Sequence, residues 1–282
     1  MSTAAQLQSM ITLLDDESPT VRQALQRSFA NCLPRLEQLL LEGAISLDAH
    51  QEQLLNQLLE PVRREELLRS WGQWQWMQHA NEQLEEALSQ LSSHLNGWRT
   101  PSGELSKRLD ALAQEIHQEC RSPNLSELSQ WLFGNSRGEP RLRGNSRDFY
   151  NLNNSNLIAV LQTGLGNPIS LCCIYRLIGS RFGLTIEGCN FPGHFLASVN
   201  YGGQRWLVDC FNQGNFMLAE QVASRHPAAN PALADIVAQD AEVEQIILRI
   251  LRNLDEACDR SADDELRPTL RELVRILMDP AG

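Results

Sequence analysis

The sequence predicts an α+β protein with a helical N-terminal domain, a core that contains a small antiparallel sheet, and a helical C-terminus. Three observations support this class. Apolar residues recur at three- and four-residue steps through most of the first 125 residues. Short strand-like runs follow between residues 184 and 209, and helical periodicity returns after residue 243. The predicted domains are therefore 1–125, 126–220 and 221–282.

The N-terminal domain is predicted from one helix start and the periodicity that follows it. Ser18 is a suitable N-cap and Pro19 suits the first helical position, after which Leu25 and Phe29 follow at helical spacing. A second helical run begins near residue 50. Pro61 is expected to break that run, because proline lacks the backbone N–H that a helix interior needs.

Composition limits the classes of partner. The chain has 282 residues and a formal net charge of −11. This charge argues against nucleic acid and anionic membranes as partners, because both attract positive protein surfaces. No apolar run approaches the roughly eighteen residues of a membrane span, and the first ten residues show no signal-peptide pattern. The seven scattered cysteines are thus expected to be reduced thiols of a cytoplasmic protein.

A long irregular loop is predicted over residues 133–156, a stretch rich in Gly, Asn, Ser and Arg without periodicity. Loops of this length inside a domain often carry function. Its arginines are Arg137, Arg141, Arg143 and Arg147. They form either a solvated basic loop or a docking site for an acidic partner.

Two helix starts follow this loop. A short helix is predicted over "SNLIAVLQTG", with Ser155 or Asn154 as its N-cap. The next helix begins with Asn167, a capping residue, and Pro168, which suits the first helical position. We expect this second helix to run to about Arg181.

Three strands are predicted at "LTIEG", "HFLASV" and "RWLVD", and "NYGGQ" between the last two is a hairpin signal. If the chain turns about residues 201–203, paired residue numbers sum to roughly 403–405. Asp209 then lies opposite His194, or within two positions of it. An aspartate placed in this way fixes the ring tautomer of the histidine and orients it, as in a catalytic triad. We therefore expect His194 and Asp209 to be hydrogen-bonded.

This order of elements resembles the transglutaminase-like superfamily, in which a nucleophilic cysteine at a helix start precedes a strand histidine and a strand aspartate. "FPGHFL" matches the histidine element and "RWLVDCFN" matches the aspartate element. "NNSNLIAVLQTGLGNPISLCCIY" and "GCNFPGHFL" resemble the bacterial SirB-type family of that superfamily more closely. The resemblance is firm over residues 150–215. It implies a papain-like or transglutaminase-like core and tetratricopeptide-like C-terminal helices.

The resemblance also locates the position of the nucleophile. Counted back from Gly183, which ends the helix and matches a family landmark, the cysteine of active members falls on Pro168. Proline has no nucleophilic atom. Cys172 lies one helical turn further along the same face, outside the first turn where the helix dipole is strongest. Ser170 is nearer the helix start but points to another face, and it forms the start of the helix together with Asn167.

Two functions of different classes follow. The first is a catalytically impaired regulatory or interaction protein whose cleft binds a protein or peptide partner. The second is a cysteine-dependent hydrolase or acyltransferase, with Cys172 as a displaced nucleophile, His194 as the base and Asp209 as its orienting group. Pro168 favours the first function, and the intact His194–Asp209 pair favours the second.

Two other residue clusters receive structural interpretations. The side chains that could suggest a metal site are Cys172, Cys173, Cys189, His194 and Cys210. They show no CxxC or HxxxH spacing, so neither a metal nor another cofactor is expected. Trp71, Trp74 and Trp76 could stack on a ligand, but Trp71 and Trp74 share a helical face and therefore favour core packing.

Overall fold

The computed structural model describes residues 4–98, 100–101, 103–135, 138–225, 232–261 and 265–279. It confirms the α+β class, with many helices and a small antiparallel sheet. The chain divides into two compact units, residues 1–70 with 93–101, and residues 71–92 with 102–282. The domain boundaries predicted from the sequence stay predictions. Arg137 of the predicted basic loop lies outside the described residues.

The first unit is built on helices that share one apolar core. These helices are α1 (Ala4–Ile11), α2 (Pro19–Leu41) and α3 (Ala49–Ser70). Leu25 and Phe29 of α2 are buried in this core together with Leu55 of α3. Ser18 occupies the N-cap position of α2 and Pro19 its first turn, as predicted, but the Ser18 side chain makes no cap hydrogen bond.

The helix break predicted at Pro61 is wrong. Pro61 lies inside α3, which continues to Ser70. A proline in a helix interior costs about 3 kcal/mol, because it removes a hydrogen bond and crowds the preceding turn. The helix persists because buried leucines on both sides of the proline, Leu58, Leu59 and Leu67, anchor it by tertiary packing.

The second unit holds the remaining elements. Its helices are α4 (Ala80–Leu95, whose last turn belongs to the first unit), α5 (Glu104–Glu119), α6 (Leu125–Phe133), α7 (Leu157–Thr163), α8 (Pro168–Arg181), α9 (Ala219–Arg225), α10 (Ala232–Ala238), α11 (Val243–Ser261) and α12 (Arg267–Met278). Short 3₁₀ helices cover Trp71–Trp76 and Leu152–Ser155. Nearly every residue of α8 is buried, so the other elements of the unit pack around this helix.

The tryptophans at the start of the second unit serve as core residues. Trp71 and Trp74 are fully buried, with ring centroids 6.2 Å apart. The indole N–H of Trp71 donates to the carbonyl oxygen of Leu273, in α12, at 3.1 Å. The core-packing interpretation is confirmed for both residues, whereas Trp76 is 83% exposed.

The start of α7 differs by one or two residues from the prediction. Its N-cap is Asn156, whose side chain accepts from the N–H of Ala159. The two predicted caps are occupied elsewhere. The Asn154 amide donates to backbone carbonyls in the preceding loop, and the Ser155 hydroxyl accepts from Asn167. Neighbouring Asn and Ser residues offer similar capping chemistry, and tertiary contacts decide which of them is used.

Two sheets complete the second unit. A short parallel pair joins β1 (Arg143–Gly144) to β2 (Leu165–Gly166). The antiparallel sheet has the order β3 (Glu187–Cys189), β4 (Leu196–Tyr201), β5 (Gln204–Asp209) and β6 (Asn215–Leu218). Strand β6 was not predicted, because it has four residues and no alternation of polar and apolar side chains. Its entry turn contains Gln213 and Gly214, both with positive φ.

Candidate functional site

The β4–β5 hairpin brings His194 and Asp209 together. Ala197 pairs with Val208 and Tyr201 with Gln204, a register at the upper end of the predicted range. Asp209 is the last residue of β5, and His194 lies two residues before β4 begins. His194 Nε2 and Asp209 Oδ1 are 2.8 Å apart, so the expected hydrogen bond is present.

The Asp209 carboxylate is held in its ionised form. Burial alone would raise its pKa, but hydrogen bonds from the His194 ring and from the Asn212 side chain and backbone lower it below the ordinary value. An ionised carboxylate only accepts hydrogen bonds. Nε2 of His194 is therefore the donor in this pair, and Nδ1 is the ring nitrogen that this hydrogen bond leaves unused. The side chain of His194 is 30% exposed, so the ring remains accessible to a ligand.

Aromatic side chains form one wall beside His194. The ring of Phe211 lies edge-on to the His194 ring at 6.0 Å, and Phe149 lies 6.0 Å from Phe211. Phe149 and Tyr150 are both exposed. Phe211 packs over Gly144, where an added Cβ would lie 2.6 Å from its ring. This wall was not predicted, although Phe211 lies only two residues after Asp209.

The start of α8 is closed by its own capping box. The Asn167 side chain accepts from the Ser170 N–H at 3.0 Å, and the Ser170 hydroxyl accepts from the Asn167 N–H at 3.0 Å. Asn167 also donates to the Ser155 hydroxyl at 2.8 Å. Pro168 occupies the first helical position, and helix α8 ends at Arg181 as predicted. Ser170 is fully buried, and its hydroxyl serves the cap.

Cys172 is a buried thiol. Its side chain is 2% exposed, and Sγ lies 3.7 Å from the carbonyl oxygen of Phe195, to which it donates. Burial raises the pKa of Cys172 well above its ordinary value, and neighbouring Cys210 and Asp209 raise it further. Burial likewise raises the pKa of Cys173. The helix and the hairpin therefore bring Cys172 close to the residues around the His194–Asp209 pair, but they favour a protonated thiol there.

The basic loop is partly paired within the chain. Arg141 forms an ion pair with Glu115 at 2.9 Å, and Arg143 forms one with Glu139 at 3.2 Å. Both pairs are exposed, and such pairs contribute little to stability. Arg147 is exposed as well. The alternative of an acidic partner docking on this loop stays a prediction.

The described residues contain neither a cluster of metal ligands nor a membrane-spanning helix. Within these residues, no group of three or more His, Cys, Asp or Glu side chains is arranged to hold a metal ion. None of the helices in the described part of the chain has both the length and the apolar character needed to span a bilayer.

A buried helix, followed by a histidine just before β4 that is hydrogen-bonded to an aspartate at the end of β5, is the arrangement expected of a transglutaminase-like core. A family model described as "Transglutaminase-like superfamily" matches residues 103–252. The match covers more than half of the chain, and the chain belongs to this superfamily.

The chain is also similar to individual curated proteins. A "UPF0162 protein" of Xylella fastidiosa (strain Temecula1 / ATCC 700964) is 32% identical over 160 residues, which cover 51% of this chain and 56% of the relative. "F-box only protein 21" of Mus musculus is 24% identical over 201 residues, or 67% of this chain and 30% of that protein. The chain thus spans little more than half the length of the first relative. No solved structure matches the chain significantly.

Proposed function

We propose that this protein is a catalytically impaired transglutaminase-like module that binds a protein or peptide partner at the cleft beside His194. The observation that carries this proposal is the state of Cys172, a buried thiol bonded to the Phe195 carbonyl. The family resemblance places the nucleophile of active members at position 168, where this chain has proline. Neither position therefore supplies an accessible thiolate.

Acyl transfer through cysteine needs a thiolate, a base within reach and N–H donors where the oxyanion develops. The start of α8 is poorly suited to supply those donors. Pro168 has no N–H, the Ser170 N–H is bonded to Asn167, and the Leu171 N–H donates to the Asn167 carbonyl. The His194–Asp209 pair favours the alternative of a cysteine hydrolase or acyltransferase, but such a pair also persists readily as a part-buried structural hydrogen bond.

Binding, in contrast, uses features that the cleft presents. His194 offers a partly exposed ring in a fixed orientation, and Phe149, Tyr150 and Phe211 offer aromatic surface. Partly exposed aromatic groups next to an oriented polar group are typical of recognition surfaces. The proposal includes a cytoplasmic, bacterial protein of the SirB type, with α11 and α12 as a tetratricopeptide-like pair. No cofactor, nucleic acid or membrane is part of it.

The test is alkylation of the native full-length protein with iodoacetamide, followed by mass spectrometry of each cysteine peptide. We expect Cys172 to react more slowly than the partly exposed Cys120, because burial suppresses its thiolate. A His194→Ala variant should leave the Cys172 rate unchanged. We also expect negligible protease and transglutaminase activity on casein-type substrates.

One result would overturn the proposal in favour of the enzyme. Rapid, pH-dependent alkylation of Cys172 that is lost in the His194→Ala variant would demonstrate a thiolate–imidazolium pair. Cys120 serves as the internal control for reagent activity in every sample.

A further inference from the structure

A second polar site adjoins the turn that carries His194. A surface pocket of about 320 Å³ opens between this turn and helix α11. Its lining consists of Asn190, Gln245, Leu248, Arg249, Arg252 and Asn253. Two arginines and three residues with side-chain amides thus line a space that has no carboxylate in its lining. The lining of the pocket is therefore positively charged, although the chain as a whole has a net charge of −11.

Arg249 is the unusual member of this pocket. Its guanidinium is half-buried and donates to neutral oxygens, the Asn190 side chain at 2.5 Å and the Phe191 carbonyl at 2.8 Å. Its Cζ lies 5.4 Å from the centroid of the Phe195 ring. Burial lowers the pKa of Arg249, because a desolvated cation is less stable.

Arg249 differs from other half-buried or buried arginines of this unit, which pair with carboxylates. Arg176 pairs with Glu187, and Arg181 pairs with Glu85. Among the residues that the structure describes, no carboxylate forms an ion pair with Arg249. Charges that are removed from water are normally paired, since their desolvation is otherwise costly. An external anion would complete this pairing.

The pocket and the candidate site are joined through one atom. The carbonyl oxygen of Phe191 accepts from Arg249 Nη1 at 2.8 Å and from the backbone N–H of His194 at 3.3 Å. A ligand that contacts Arg249 therefore lies next to the turn that positions the histidine. A peptide that reaches both the His194 ring and the pocket would have to cross this turn.

We propose that the pocket binds a carboxylate side chain of the peptide partner, an inference that rests on the binding function proposed above. The planar guanidinium fork of arginine matches a carboxylate, and amide groups from Asn190, Gln245 and Asn253 are available for its remaining lone pairs. A single carboxylate fits the pocket better than a polyanion, which the surrounding negative charge would repel.

The test uses the full chain labelled with nitrogen-15 arginine, in which the Nε–H signal of Arg249 is followed by NMR. The probes are N-acetyl-Ala-Glu-Ala-amide, its Gln analogue and free glutarate. We expect saturable shifts of the Arg249 signal with the Glu peptide and with glutarate, and at least about tenfold weaker binding of the Gln peptide, as when one charged hydrogen-bonding group is lost.

Variants locate the binding. Arg252→Gln removes an exposed pocket cation without altering the bonds to Phe191, and its binding is followed through the Arg249 signal. Arg249→Lys keeps the charge but loses the fork, and its binding is followed through the Nε–H signal of Arg252, which also lines the pocket. Both variants should weaken binding of the Glu peptide. Arg27→Gln, an exposed arginine of the first unit, is the charge-matched control and should bind normally. Circular dichroism checks that each variant is folded.

The outcomes separate this inference from the proposed function. Equal binding of the Glu and Gln peptides, or unchanged binding in both pocket variants, would overturn the carboxylate assignment. If glutarate binds but neither peptide does, the pocket does not take its carboxylate from a peptide side chain, and that part of the inference is wrong. If no probe shifts the Arg249 signal while Cys172 reacts slowly, only carboxylate binding in the pocket is rejected. Rapid, His194-dependent alkylation of Cys172 would instead reject the proposed function.

Discussion

Asp209 shows how one carboxylate is positioned by two separate parts of the chain. The end of β5 places it beside His194, and the turn before β6 adds two hydrogen bonds from Asn212. The strand alone would leave the carboxylate free to rotate. The turn therefore determines which oxygen faces the histidine, and a change in this turn would alter the pair without touching either member.

The lowered pKa of Asp209 predicts a pH-dependent contribution to stability. Because the folded-state pKa lies below the ordinary value of 3.8, the contribution is present above that value and is lost as the pH falls through the folded-state pKa. Asp209→Asn should reduce the free energy of unfolding at pH 7 by about 1–3 kcal/mol, as for hydrogen bonds to charged groups. Urea unfolding of wild type and variant across the pH range measures this difference.

The control for that experiment is Asp15→Asn, a change at an exposed aspartate in the turn after α1. Its effect should be within about 0.5 kcal/mol at every pH. A deficit of Asp209→Asn that stays constant down to the acid limit would contradict the linkage between this carboxylate and folding.

At the scale of single residues, some features of the site could be predicted from the sequence and others could not. The spacing of His194 and Asp209 was predictable, because hairpin register follows from the turn. The role of Cys172 was open, since a helical position gives the face of a side chain but not its depth below the surface. Phe211 was missed for a similar reason: its contact with Gly144 joins residues that are distant in sequence.

Among the elements, α8 is fixed most strongly at its start. The capping box of Asn167 and Ser170 is buried, and Asn167 also bonds to Ser155. An exposed capping box of the same design starts α6, with Asn124 and Glu127. The chain therefore contains a matched pair of caps that differ in burial.

Removing each cap separates the effect of burial from that of capping. Asn124→Ala should lower the free energy of unfolding by about 1 kcal/mol, the usual value of an N-cap. Asn167→Ala should cost about 2–4 kcal/mol, because the buried Ser155 hydroxyl and the buried Ser170 N–H both lose their hydrogen bond to the Asn167 side chain. Urea unfolding at pH 7 measures both. Equal losses would show that the buried network adds nothing to the cap.

Elements with a local signal were predicted, and those that depend on the tertiary structure were not. The α8 start and the β4–β5 hairpin have capping and turn residues in the sequence itself. β6 has no alternation and is stabilised by pairing with β5. Pro61 gave a strong local signal that was wrong, because burial of the neighbouring leucines outweighed it.

At the scale of the whole molecule, the C-terminal helix is tied to the beginning of the second unit. Trp71 donates to Leu273, a residue 202 positions away, and both are fully buried. The family resemblance implies a tetratricopeptide-like pair of C-terminal helices, and one such pair needs other elements to cover its apolar face. The sequence contains no sign that the tryptophan segment is one of those elements, because nothing local links the two segments.

Trp71→Phe tests how much the contact between Trp71 and Leu273 contributes to stability. The variant loses the indole donor and part of the buried ring, so the free energy of unfolding should fall by about 1–3 kcal/mol. Trp76→Phe is the matched control, and its exposed ring should give a change within about 0.5 kcal/mol. Denaturant unfolding followed by far-ultraviolet circular dichroism compares the two. Similar losses in both variants would contradict a specific role for Trp71.

The hydrogen bond between His194 and Asp209 has a consequence for the order of events in folding. These residues are 15 positions apart, whereas Trp71 and Leu273 are separated by 202. Closing a short loop costs less chain entropy than closing a long one, and local contacts form faster. The hairpin with its histidine and aspartate is therefore expected to assemble while the C-terminal helix is still undocked. During synthesis the pair would emerge and meet before the last helix exists.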